Sequence, residues 1–122
     1  MRLTGFIPDA EYLGLLRGAD AILVLTREDH TMQRGGYEAV ALEKPLITSH
    51  WSLLREVFSR GTVHVDNSVA SIVAAVRRIQ ADPATFREEM QALRQARAAV
   101  SALQVDSVRR LCQTPRRGWK RA

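Results

Sequence analysis

The chain has 122 residues, of which 46% are apolar and 25% charged, a composition that suits one globular domain around a single core. No apolar run reaches the roughly 18 residues that a membrane-spanning helix needs, and the first residues lack the order of a secretion signal. We therefore expect a cytoplasmic protein. Cys112 is the only cysteine, which excludes an intramolecular disulfide and any zinc or iron–sulfur site built from cysteines.

The net charge of +5 comes from the end of the chain. Up to Asp106 there are thirteen acidic and twelve basic residues, a net charge of −1, and the six other basic residues all follow it. Residues 114–122 form a basic tail without periodicity, which we predict to be disordered. Because the chain up to Asp106 is slightly acidic, nucleic-acid binding is disfavoured. Contact of the basic tail with an anionic membrane surface is a possible but weakly supported interaction.

Short apolar runs typical of strands alternate along the chain with longer stretches of helical periodicity. The predicted strands are residues 3–7, 21–26, 45–49 and 62–66, and the predicted helices are residues 9–18, 33–43, one from about 51, one after 67 and one from 83. This order predicts an α/β fold, a partial Rossmann-like domain with about four parallel strands, flanking helices and a helical C-terminal third. The uninterrupted apolar run of the second strand predicts that it is the central one.

The loop after the second predicted strand is the best candidate for a ligand site. Ligands of open parallel sheets bind beyond the carboxyl ends of the strands, and this loop is charged and contains adjacent glycines at 35 and 36. A helix that begins near Thr31 to Gln33 offers unpaired N–H groups to a phosphate, and Arg34 adds a positive charge. Glu38 can accept hydrogen bonds from a vicinal diol, although its spacing alone also fits a solvated helix carboxylate.

A metal site is not expected, because no group of acidic and histidine residues shows ligand spacing. Ser49, Ser52 and Cys112 have no base nearby in the sequence and are not favoured as nucleophiles.

The pieces around this loop resemble a known family. A strand end at Leu25 and Thr26 precedes the loop, and Glu38 opens the run Glu-Ala-Val-Ala-Leu-Glu-Lys-Pro that leads into the next strand. Residues 5–82 are similar in this respect to the C-terminal, nucleotide-sugar-binding domain of retaining glycosyltransferases of the double-Rossmann (GT-B) type, in the large group 1 or family 4. That family has glycine where this chain has Glu43.

The resemblance implies roles for the loop residues. Glu38 matches the glutamate that holds the ribose of the donor, and the diphosphate lies on the backbone of Thr31, Met32, Gln33 and Arg34. The family's other glutamate, which contacts the donor sugar, has two candidate positions: His30, eight residues before Glu38, and Asp29, three residues after Thr26.

The resemblance also implies a function. The parent activity is transfer of a sugar from a nucleoside-diphosphate donor to a polysaccharide or glycolipid acceptor, and the donor is a substrate, so no cofactor is expected. In the family's strand order 3-2-1-4-5-6, residues 1–113 supply strands 3 to 6 of a truncated donor-binding domain. We therefore expect the isolated chain to be inactive.

Truncation has a structural consequence. Residues 3–7 are expected to pair beside residues 21–26 and complete a four-stranded sheet. The sheet edge exposed there is expected to contact an N-terminal domain or a second copy of the chain. The alternative function is not enzymatic: the chain is then a small α/β module that binds a partner protein through its helical C-terminal third and basic tail.

Overall fold

The computed structural model describes residues 1–113, so the predicted basic tail lies outside the described residues. Its elements in chain order are α1 (Asp9–Gly18), β1 (Ile22–Val24), α2 (Arg34–Ala41), β2 (Leu46–Ser49), α3 (Ser52–Val57), β3 (Thr62–Val65), α4 (Val69–Ala81) and α5 (Pro83–Gln113). The predicted α/β fold with a helical C-terminal third is confirmed. Ser68 caps α4 by accepting a hydrogen bond from the Ser71 N–H, and α5 has proline at its first position.

The sheet has three parallel strands in the order β1-β2-β3. Leu46 is in register with Ile22 on one side and with Thr62 on the other. All four residues of β2 are buried, as expected for a strand with a neighbour on each side and helices on both faces.

Alternate residues of β2 face two separate apolar clusters. Leu46 belongs to a cluster with residues of α2, α3 and α5, which includes the fully buried Phe58 and Met90. Ile47 belongs to a cluster on the opposite face, where Ile79 and Phe86 cover the sheet. The side-chain period of two in a strand thus divides the core between the two faces.

The prediction of a strand at residues 3–7 is wrong. This segment is in neither strand nor helix, and Leu3 and Phe6 are exposed. A strand needs a neighbour for its N–H and C=O groups, and within residues 1–113 nothing pairs with this segment. The described sheet therefore has three strands instead of about four, and the expected pairing of residues 3–7 beside β1 does not occur.

The prediction of β1 as the central strand is also wrong. Among the described residues β1 lies at one edge and β2 is central. Leu23 is 50% exposed, so one side of the apolar run faces outward. An uninterrupted apolar run does not reveal whether a helix covers both faces of its strand in the folded chain.

Across the same described part of the chain, no helix combines the length and the apolar character needed to cross a membrane.

Candidate functional site

The start of α2 packs unusually close to the sheet because its first turn contains two glycines. A Cβ atom added to Gly35 would lie 2.5 Å from Cγ2 of Val24, and one added to Gly36 would lie 2.5 Å from Cζ of Phe58. Real Cβ atoms do not approach other atoms this closely. The glycine pair therefore sets the position of α2 and of the loop that precedes it, directly after β1.

Glu38 lies one turn into α2, and both of its carboxylate oxygens have protein donors. Oε1 accepts a hydrogen bond of 2.8 Å from Nε of Arg34, four residues earlier on the same helix. Oε2 accepts a hydrogen bond of 2.6 Å from the hydroxyl of Tyr12 on α1. The side chain is only 16% exposed. Glu38 is therefore not the solvated surface carboxylate that its spacing alone also allowed.

Tyr12 is a partner of Glu38 that sequence reasoning missed. The hydrogen bond to Glu38, followed by burial and by the negative charge of that carboxylate, raises the pKa of the Tyr12 phenol. The phenol thus stays protonated and donates to Glu38 at neutral pH. The sequence gives one weak signal, an aromatic residue within the apolar stripe of the first helix, and that signal equally suits a core position.

The segment Thr31 to Arg34 leads into the start of α2. Thr31, Met32 and Gln33 are half-buried, and the side chain of Arg34 is 87% exposed. Gln33 is the N-cap residue, but its side chain makes no capping hydrogen bond. The first N–H groups of a helix have no acceptor within the helix itself, so the backbone here offers donors beside the Arg34 guanidinium.

The structure brings Asp29 and His30 into the same loop but gives them different surroundings. The Asp29 carboxylate accepts hydrogen bonds from the His30 N–H at 2.7 Å and the Ser52 hydroxyl at 3.0 Å. The hydrogen bond from the His30 N–H, and to a smaller extent the one from Ser52, lowers the pKa of Asp29. The carboxylate therefore links the loop to the start of α3. His30 has a φ of 57°, and its side chain is 84% exposed.

A second polar cluster joins the carboxyl ends of all three strands. The Thr26 carbonyl oxygen accepts hydrogen bonds from Nδ2 of Asn67 at 2.9 Å and from Nε1 of Trp51 at 3.0 Å. The Ser49 hydroxyl accepts from the Thr26 N–H at 2.9 Å and lies 2.7 Å from Oδ1 of Asn67, to which it donates. These bonds fix the edge of the sheet on which the loop stands. The sequence did not predict them.

Beside this cluster is a small open pocket of about 240 Å³, lined by Leu25, Thr26, Arg27 and Asn67. Complete small-molecule sites have volumes of about 300 to 1,000 Å³. The pocket is thus smaller than a complete site for a nucleotide sugar.

Within residues 1–113, no group of three or more histidine, cysteine or acidic side chains is placed to hold a metal ion. The expectation that the chain uses neither metal nor cofactor stays a prediction.

Open parallel α/β sheets bind ligands beyond the carboxyl ends of their strands, and the charged, glycine-containing loop lies there. The family described as glycosyl transferase-like matches residues 1–112, and the chain belongs to this family. The resemblance found in the sequence is thereby confirmed at the level of the family. No curated protein and no solved structure matches the chain significantly.

Proposed function

We propose that the chain binds the nucleoside-diphosphate part of a sugar donor at the loop between β1 and α2. Glu38 accepts hydrogen bonds from the ribose diol, and the backbone of residues 31–34 and the Arg34 guanidinium hold the diphosphate. The observation that carries this proposal is the fixed carboxylate of Glu38, which lies one turn into the helix that follows the loop after β1. Membership of the glycosyl transferase-like family supports it.

We assign the donor-sugar contact to His30 rather than to Asp29. The Asp29 carboxylate already accepts hydrogen bonds from its own loop and from Ser52. The His30 ring is exposed, and its Nε2 lies 3.9 Å from Oδ2 of Asp29. A ring in this position is free to donate to a sugar hydroxyl.

The chemistry of the proposed parent reaction is mainly electrostatic. When the bond between the sugar and the nucleoside diphosphate breaks, negative charge grows on the departing diphosphate. Positive dipoles and charges around the diphosphate stabilise that charge. The start of α2 supplies a positive dipole end, and Arg34 supplies a positive charge. We propose that these residues bind a donor without transferring its sugar, because Arg34 is the one basic side chain of residues 31–34 beside the diphosphate.

Calorimetric titration of the full chain with UDP, GDP and ADP tests the binding proposal. We expect at least one of the three to bind with a millimolar Kd, which corresponds to a binding free energy of about 4 kcal/mol. Glu38→Ala removes that binding. Glu38→Gln, which keeps the shape of the side chain, weakens it. Glu88→Ala, on the exposed side of α5, is the matched control and leaves it unchanged. Binding that survives Glu38→Gln and Glu38→Ala without loss contradicts the proposal.

The alternative of a non-enzymatic interaction module is supported by one observation. The buried residues of α5 all lie in its first half, at Phe86, Met90 and Leu93, whereas Val100, Leu103 and Leu111 are exposed apolar residues farther along it. A module of this kind ignores all three nucleotides, so the same titration separates the two functions.

A further inference from the structure

The hydrogen bond between Tyr12 and Glu38 connects α1 to the proposed nucleotide site across 26 residues of sequence. α1 has few other anchors: none of its residues is buried, Leu16 packs against the core only in part, and the carbonyl of Arg17 accepts a hydrogen bond of 2.6 Å from Nζ of Lys44. The phenol of Tyr12 is thus either a tether for the helix or a part of the site.

The geometry of the carboxylate favours a part in the site. An ionised carboxylate has about four acceptor positions on its two oxygens. Arg34 uses one of them on Oε1 and Tyr12 uses one on Oε2. Each oxygen therefore keeps a second acceptor position, and the carboxylate plane is held from both ends. Two acceptors on adjacent oxygens match the two O–H donors of a vicinal diol.

We propose that Tyr12 is a positioning residue that fixes the Glu38 carboxylate for a ribonucleotide and thereby discriminates it from the corresponding 2′-deoxynucleotide. The inference rests on the proposed function of Glu38 and deepens it. Without the phenol, Oε2 loses its donor, and the carboxylate can rotate about its last bond with Arg34 as the only partner. A mobile carboxylate must be ordered again when the diol binds, and that ordering lowers the selectivity for the 2′-hydroxyl.

The test compares each ribonucleoside diphosphate with its 2′-deoxy counterpart by calorimetry: UDP with dUDP, GDP with dGDP and ADP with dADP. Hydrogen bonds to charged groups contribute roughly 1.5 kcal/mol or more, so we expect the unmodified chain to prefer the ribose form about tenfold. In Tyr12→Phe, which keeps the ring and removes the hydroxyl, we expect the preference to fall to roughly two- or threefold, because the diol then has to order the carboxylate itself.

Two controls separate positioning from a structural role. Lys44→Met removes the other polar anchor of α1 and leaves the Glu38 contacts intact. Tyr37→Phe removes the hydroxyl of the chain's other tyrosine, which is half-exposed beside Phe58. We expect both to keep the tenfold preference. The thermal midpoint of each variant, followed by circular dichroism, shows that it is folded.

The outcomes distinguish this inference from the proposed function. The inference is wrong if Tyr12→Phe weakens the ribose and deoxy forms equally, or if Lys44→Met lowers the preference as much as Tyr12→Phe does, because either result describes a tether. If the unmodified chain binds none of the nucleotides, or binds them independently of Glu38, the proposed function itself is wrong and the inference falls with it.

Discussion

At the scale of the residue, Glu43 shows how the end of α2 is built. Its φ is 55°, the left-handed region that favours glycine. The Glu43 N–H donates to the carbonyl of Val40 at 3.1 Å, and the Lys44 N–H donates to that of Ala39 at 2.9 Å. These two bonds are those of a Schellman motif. The glycine-type conformation is thus present at the position where the related family has glycine, and a glutamate adopts it.

A glycine at position 43 is expected to make the chain more stable than an alanine does. Both Glu43→Gly and Glu43→Ala remove the ion pair with Arg94, but only glycine adopts a positive φ without a steric cost of about 1 kcal/mol. Urea unfolding should place Glu43→Gly above Glu43→Ala by about that amount. Ala41→Gly, in the last turn of the same helix, should show the usual order, with glycine less stable. Equal stabilities at position 43 contradict this reading of the helix end.

The partly buried position of His64 leads us to predict that the stability of the fold depends on pH. Burial, together with the nearby Arg55 and His50, lowers the pKa of His64 below its ordinary value, although a hydrogen bond to the Leu54 carbonyl opposes the shift. The unfolded chain therefore binds the His64 proton more readily than the folded chain does. Stability is fully present above a pH of about 6.5 and falls as the pH drops below it.

Chemical unfolding at several pH values between about 7.5 and 5.5 measures this loss. His64→Gln should flatten the dependence in that interval. His30→Gln, which alters an exposed ring, should leave it in place. A slope that survives His64→Gln assigns the dependence to another group.

At the scale of the element, the packing of α2 against Phe58, the residue that ends α3, depends on Gly36. An added Cβ would meet the ring of Phe58 at 2.5 Å, and that ring is fully buried, so it has no room to move away. Gly36→Ala is expected to destabilise the fold by about 1 to 3 kcal/mol. Gly14, in α1, has nothing within 4 Å of an added Cβ, so Gly14→Ala should stabilise the fold by up to about 1 kcal/mol. If Gly36→Ala is as stable as the unmodified chain in urea unfolding, α2 does not pack as described.

The elements that could be predicted from the sequence are those whose signals are local. Apolar runs and helical periodicity predicted the helices and three of the four strands. Residues 3–7 have the residue pattern of a strand, but a strand forms only when it pairs with another strand. The local pattern does not show whether such a partner is present. Likewise, Glu38 and Arg34 could be predicted as neighbours on one helix face, whereas the Tyr12 contact depends on how α1 folds back.

At the scale of the whole molecule, the outer side of β1 is the most exposed part of the sheet. Leu23 is half-exposed there. An open groove of about 300 Å³ is lined by Asp20 and Ala21 before β1, by Ile47 of β2, and by residues of α4 and α5 that include Val76. Apolar strand edges without a neighbour favour pairing with another strand. We predict that the chain self-associates through this edge.

Sedimentation velocity over a range of concentrations checks the prediction. The mass should rise with concentration, and Leu23→Lys, which places a charge on the edge strand, should keep the chain monomeric. Leu103→Lys, on the exposed second half of α5, should not affect association. If Leu103→Lys abolishes association and Leu23→Lys does not, the contact surface is α5, which favours the interaction-module alternative.

We propose that the loop after β1 and the start of α2 form a binding site for a nucleoside diphosphate. The most direct measurement is a map of amide chemical shifts in the isotope-labelled full chain, recorded by NMR as UDP, GDP or ADP is added. We expect that for at least one nucleotide the shift changes concentrate at residues 29–38 and disappear in Glu38→Ala. Shift changes that concentrate on α4 or α5, or no changes with any of the three nucleotides at millimolar concentration, contradict the proposed site.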